Sequence, residues 1–182
     1  MVINYYGDKL LMRKRTEYWV SGIKSDKECK RLAGEFVDNA FNDLVDRSLN
    51  ANADCAYEGH FTEDASWETP GRFKKNGYKI HLIFFGLTDI ALSETRVIGR
   101  AKEGGHNVDP LTLRNNFYGN LEKLDKYFPM FDTVTIVDTS GIEHRCFVIL
   151  KKGKSSSAVK FEELPGWFTL NLPEITKVIS PA

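Results

Sequence analysis

The chain has 182 residues, enough for one domain with a substantial core. Lys+Arg and Asp+Glu number 25 each, and this zero formal charge argues against a bulk nucleic-acid or membrane-surface binder; any electrostatic capture has to come from a local cluster. Cys29, Cys55 and Cys146 are widely spaced and form no C-x-x-C pair, so reduced thiols in a cytoplasmic protein are expected, with no structural zinc.

Asp8, directly after Tyr5-Tyr6-Gly7, argues against a signal peptide. Residues 9–20 read as a short helix. From Ser25 to about Leu49, Leu32, Phe36, Val37, Ala40, Phe41, Leu44 and Val45 recur at three- and four-residue steps, an apolar stripe on one helix. Ser25 with Glu28 three residues on predicts a capping box. After an Asn50-Ala51-Asn52 loop, Ala53 to Tyr57 reads as a short buried strand ending at Glu58-Gly59-His60. Thr62 opens a helix to about Lys75, closed by Asn76-Gly77 with glycine in the left-handed region.

Tyr78 to Leu87 has the strongest strand signal, nearly continuous in apolarity and suited to a central strand covered on both faces. Its apolar core, Ile80 to Leu87, is far too short to cross a bilayer. Thr88 and Asp89 cap a helix to about Lys102, a second helix runs from Pro110 to Tyr127, and Thr133 to Val137 is a further strand. This alternation predicts parallel βαβ units with right-handed crossovers. Arg145–Lys151 and Ser156–Phe161 read as a hairpin around Lys152-Gly153-Lys154, followed by the aromatic Trp167-Phe168 and a last helix near Pro173 to Ile179. The fold class expected is α/β: a mostly parallel sheet flanked by helices, with a C-terminal β-hairpin, in a single domain over 1–182.

Ligands in open α/β sheets bind beyond the carboxyl ends of the strands. That rule marks Glu58-Gly59-His60, Gly86-Leu87-Thr88 and Asp138-Thr139-Ser140. Glu58, leaving a buried strand before a glycine, can accept hydrogen bonds from a sugar hydroxyl; the plainer alternative is a turn or capping carboxylate. His60 is either polar surface or a contact of the same site. Arg96 and Arg100 share one helical face, and Arg114 follows on the next helix. Guanidinium groups grip phosphate oxygens in pairs, although a solvated basic face explains an i,i+4 arginine pair equally well. Gly104-Gly105 between the helices favours the first reading, since each glycine costs a helix about 1 kcal/mol relative to alanine. A bend with His106 beside it is what a lid over a polyanion requires. No His, Cys or carboxylate set has metal-ligand spacing, and no G-x-S-x-G elbow occurs.

Tyr57-Glu58-Gly59, Asn76-Gly77-Tyr78, Phe85-Gly86-Leu87-Thr88, Arg96-Val97-x-x-Arg100-x-x-x-Gly104-Gly105-His106-x-Val108, Asn120-Leu121-Glu122-Lys123-Leu124 and Val137-Asp138-Thr139-Ser140 together resemble the zeta toxin family of P-loop kinases. The resemblance is strongest over residues 50–141, with 142–182 as hairpin and tail. It implies ATP-dependent phosphoryl transfer to a nucleotide-sugar such as UDP-N-acetylglucosamine, with ATP and Mg²⁺ as cofactors and an antitoxin protein as partner. By position, Arg96 and Arg100 match the catalytic arginines leading into the lid. Glu58, His60, Thr62, His106 and Arg114 fall on the acceptor-substrate side, and Asp138, Thr139 and Ser140 on the nucleotide side. A small phosphorylated or sugar ligand is expected, and neither nucleic acid nor membrane.

Two departures accompany the resemblance. Asn115-Asn116 stand before Phe117 where relatives carry an arginine, leaving Arg114 as a displaced substitute. No G-x-x-x-x-G-K-[ST] loop occurs in the 182 residues; the family's first strand and Walker A loop would precede residue 1. Without that loop's backbone donors, lysine and Mg²⁺-binding hydroxyl, a triphosphate has no cradle. The expectation is therefore a kinase-like domain inactive alone, the alternative being a non-catalytic relative that binds a ligand or protein in the same cleft. Residues 1–6 are a candidate replacement edge strand.

Overall fold

A computed structural model describes residues 3–5, 7–102 and 108–180. Where one domain is expected, contacts divide the chain into two compact units, Met1–Gly59 and His60–Ala182. Gly104, Gly105 and His106, the turn of the expected lid, lie outside the described residues.

The first unit is a helical hairpin with a small sheet. Helix α1 (Gly7–Val20) ends where Gly22 takes φ 112°, with Gly22 N–H donating to Trp19 O and Ile23 N–H to Tyr18 O. This is the paired closure that glycine makes possible after a helix. Helix α2 (Asp26–Asn50) begins at Ser25, whose hydroxyl accepts the Glu28 N–H at 3.3 Å. Only that half of the expected capping box forms by side chain, since the Glu28 carboxylate pairs with Arg31 at 2.6 Å. The buried face of α2 is Cys29, Ala33, Leu44, Val45 and Ser48. The predicted stripe is thus rotated: small Cys29 and Ala33 allow close packing, while Phe36 stays 37% exposed beneath the Lys14 ammonium at 4.3 Å.

Strand β1 (Ile3–Tyr5) pairs in parallel with β2 (Cys55–Tyr57), Ile3 opposite Cys55 and Tyr5 opposite Tyr57. Residues 3–5 of the candidate N-terminal segment are therefore a strand. It belongs to its own two-stranded sheet, which corrects the expectation of one mostly parallel sheet.

The second unit holds a four-stranded sheet in the order β3-β4-β5-β6: His81–Gly86, Thr133–Asp138, Arg145–Lys151 and Lys154–Ala158. Only β3 and β4 run parallel; β4–β5 and β5–β6 are antiparallel. Two helices, α4 (Ile90–Lys102) and α5 (Pro110–Tyr127), lie between the parallel strands in sequence. The hairpin turns at Lys152 (φ 50°) and Gly153 (φ 71°), two successive left-handed residues of the tight type whose twist matches the strands. Its second strand starts two residues earlier than expected, and Phe161–Glu163 is a 3-10 turn.

Strand β3 corrects the sequence reading most sharply. Among the described residues it is an edge strand, and its alternate residues Ile83 and Phe85 are 59% and 62% exposed rather than covered. The other face of the sheet is packed, with Val134, Ile136, Val148 and Leu150 at or below 1% exposure. Residues 64–75 form a 3-10 turn, Asp64–Trp67, followed by α3 (Glu68–Lys75), which Gly77 closes at φ 83°. Trp167 and Phe168 are buried on a short helix α6 (Gly166–Asn171) that no periodicity announced. Buried Asp125 accepts the N–H groups of Glu174 (3.0 Å) and Ile175 (2.8 Å), capping α7 (Pro173–Ile179). Burial pushes its carboxyl group up, and those two bonds oppose the shift.

Candidate functional site

The carboxyl ends of β3 and β4 are laced together by their own polar groups. Gly86 O accepts both the N–H (2.9 Å) and the hydroxyl (3.0 Å) of Thr139. Ser140 donates its hydroxyl to Asp138 at 2.6 Å and accepts the Thr88 N–H at 2.8 Å. Arg96, reaching from the middle of α4, donates to Thr139 O at 2.5 Å and lies 3.5 Å from its hydroxyl. The guanidinium is therefore spent holding α4 to the end of β4. Asp138, Thr139 and Ser140, read as nucleotide-binding, find their partners within the protein. Arg100, one turn further along α4, is exposed and has no ion pair or hydrogen bond among the described residues.

A second group of residues meets on α5. The loop before α3 is fixed to this helix at two points. At one, Asn120 Oδ1 accepts the Phe61 N–H at 2.7 Å, while its Nδ2 donates to Asn116 O at 2.6 Å and faces His60 Nδ1 at 3.0 Å. Because Phe61 identifies the amide oxygen, the nitrogen must face the histidine, so His60 Nδ1 accepts. At the other, Asp64 accepts from Tyr127 Oη (2.9 Å), Lys123 Nζ (2.9 Å) and Lys126 Nζ (3.3 Å). Led by the Lys123 bond, these hold the Asp64 carboxyl down at about 2. Trp67 lies between the two points, stacked on Tyr127 at 4.9 Å and donating its indole N–H to Phe61 O.

An open depression of about 360 Å³ is left between these anchors, lined by Thr62, Glu63, Arg114, Asn115, Tyr118, Gly119 and Glu122. Gly119 lets the loop lie close: a Cβ there would be 3.1 Å from Thr62 Cγ2, so Thr62 would have to give by a few tenths of an ångström. The Arg114 guanidinium lies over the Tyr118 ring at 5.1 Å. One cation, two carboxylates, a hydroxyl, an amide and an aromatic ring can together hold an anionic group and sugar hydroxyls.

Of the residues singled out in the sequence, His60, Thr62 and Arg114 are thus brought to one wall of α5. Glu58 lies in the other unit, exposed directly after β2, with no hydrogen bond or ion pair among the described residues. Sequence reasoning quotes Asn120 and Glu122 within a motif but gives them no role at the site, and it passes over Tyr118 and Glu63. The spacing Asn116, Asn120 at i,i+4 was the available signal for a polar stripe on α5.

The class these features define is a mixed α/β protein whose sheet has a parallel pair, with a polar recess on one helix. No known family's sequence model matches the chain, and no curated protein does. Among solved structures, it is similar to a chain described under the PezAT chromosomal toxin–antitoxin system of the human pathogen Streptococcus pneumoniae. The TM-score is 0.52 at 17% sequence identity, over 98% of this chain and 74% of that one. At that identity the likeness shows the fold, and it agrees with the zeta-toxin-like fold expected from the sequence. No described helix is long and apolar enough to cross a membrane.

Proposed function

We propose that the chain is a zeta-toxin-like protein that binds a small phosphorylated or sugar-bearing ligand, such as a nucleotide-sugar, in the depression on α5. The observation that carries this reading is that Thr62 and Arg114, both expected at the acceptor substrate, line one recess, while His60 is bonded to Asn120 on the same helix. Arg114 supplies the charge for a phosphate, and Glu63, Glu122, Thr62 and Asn115 supply acceptors and donors for hydroxyls.

Phosphoryl transfer is not part of the proposal. The resemblance implies ATP and Mg²⁺, but Arg96, matched to a catalytic arginine, is engaged with Thr139, and Asp138, matched to the nucleotide side, with Ser140. Among the described residues no group of three His, Cys, Asp or Glu side chains stands together as a metal site. These residues do not form a Mg·ATP cradle. The chain thus acts as a binding relative of a kinase, in the cytoplasm, and the toxin–antitoxin neighbour favours a small antitoxin as its protein partner.

Isothermal titration of the full chain with UDP-N-acetylglucosamine, and separately with ATP and Mg²⁺, tests the reading. The nucleotide-sugar should bind, and Arg114→Ala should weaken it about 10- to 100-fold, the worth of a charged hydrogen bond. No affinity for the nucleotide-sugar, or affinity indifferent to Arg114, refutes the site. ADP production in the second titration restores the catalytic reading.

A further inference from the structure

The lining of the α5 recess is ordered along the helix. Arg114, Asn115, Tyr118, Gly119 and Glu122 recur at three- and four-residue steps and so share one face. At about 1.5 Å per residue, Arg114 and Glu122 stand about 12 Å apart along the axis, with Tyr118 midway. The loop opposite fixes the place of the second carboxylate. Thr62 approaches Gly119, and Asp64 is held by Lys123, Lys126 and Tyr127. Glu63, between Thr62 and Asp64, therefore falls toward the Glu122 end and away from Arg114.

The recess is thus electrically two-ended, and its charges do not cancel one another. Arg114 lies over the Tyr118 ring at 5.1 Å and makes no ion pair among the described residues. Glu63 makes none either, and its side chain does not cap the 3-10 turn that follows it. Glu122 lies 3.6 Å from the Lys123 ammonium, which Asp64 holds more closely at 2.9 Å. An anion alone satisfies only the Arg114 end, and negative charge brought to the other end would meet two carboxylates. The volume, about 360 Å³, is near the small end for ligand pockets and suits one sugar ring with its phosphate.

We propose that this recess selects a phosphorylated amino sugar whose amine is free and charged, an inference that rests on the ligand site proposed above. The phosphate meets Arg114 and Asn115, the sugar ring lies beside Tyr118, and the ammonium donates to Glu63 and Glu122. A hydroxyl in place of the amine, or an acetyl group on it, removes the charge and leaves the two carboxylates without a cation.

Isothermal titration of the full chain with glucosamine 6-phosphate, glucose 6-phosphate and N-acetylglucosamine 6-phosphate tests this, since the three share a ring and a phosphate and differ at one substituent. Glucosamine 6-phosphate should bind about tenfold or more tightly than the other two. Glu63→Gln and Glu122→Gln, with folding checked by circular dichroism, should each shrink that preference to about threefold or less. Arg114→Ala should weaken all three sugar phosphates. Raising the pH until the ligand's amine is neutral should erase the preference. Equal affinities, tighter binding of either uncharged sugar, or a preference indifferent to both glutamine variants overturns the inference. If UDP-N-acetylglucosamine binds through Arg114 while the preference is absent, the recess stands and the ammonium inference fails. If none of the four ligands binds, both fail.

Discussion

Gly86 ends β3 at the point where the buried indole of Trp167 crosses the sheet, and Gly86→Ala probes that contact. A Cβ on Gly86 would lie 2.9 Å from Trp167 Cζ3 and nearer still to Cζ2 and Cη2, against 3.4 Å or more for ordinary contact. The ring would have to retreat by more than about 1 Å to restore normal separation. It has no room. Trp167 is 5% exposed and is held edge-on by Phe147 at 5.8 Å and Phe168 at 6.0 Å. Overpacking a well-filled core costs about 1–3 kcal/mol, and a clash with a ring that cannot swing into solvent belongs at the upper end. Thermal unfolding followed by near-ultraviolet circular dichroism should show Tm falling by about 10 °C. Trp167→Leu should recover part of the loss in the double variant, because it removes the clashing atoms. A Gly86→Ala protein melting within about 1 °C of the parent would refute the packing argument.

Asp64 should shape the acid limb of stability. Its folded carboxyl titrates at about 2, below the ordinary 3.8, so its contribution is present above about pH 4 and is lost as pH falls toward 2. Urea midpoints measured across that window should decline less steeply in Asp64→Asn; an unchanged slope would show that the Lys123, Lys126 and Tyr127 contacts do not persist in solution. Asn120→Ala removes the acceptor for the Phe61 N–H and the partner of His60, and should cost about 1–2 kcal/mol with faster amide exchange at Phe61. Asp125→Ala strips both caps from α7 and should cost about 1–3 kcal/mol, whereas stability equal to the parent would place the α7 cap elsewhere.

The α5 recess was half legible before the structure. Thr62 and Arg114 stand 52 positions apart in the sequence, and only the resemblance linked them; what joins them in space is the close approach of the Thr62 loop to Gly119. Arg96 taught the opposite lesson. Its spacing from Arg100 marks a helical face correctly, but spacing does not say that a carbonyl at the end of β4 stands within reach. That carbonyl makes Arg96 a brace while Arg100 stays exposed.

Local chemistry decided the elements of this chain before any tertiary contact was known. Ser25 and Asp109 accept their helices' first N–H groups, Gly77 takes the left-handed turn after α3, and Lys152-Gly153 turns the hairpin. Each depends on dihedral preference and on groups a few residues apart, which a linear sequence states outright. Strand order, the exposed face of β3, the α6 packing of Trp167 on Gly86 and the meeting of loop and helix around Asn120 were decided only in three dimensions. An apolar run such as His81–Gly86 burial-matches a central strand or an edge strand equally well. Which it becomes depends on the neighbours that other parts of the chain bring beside it.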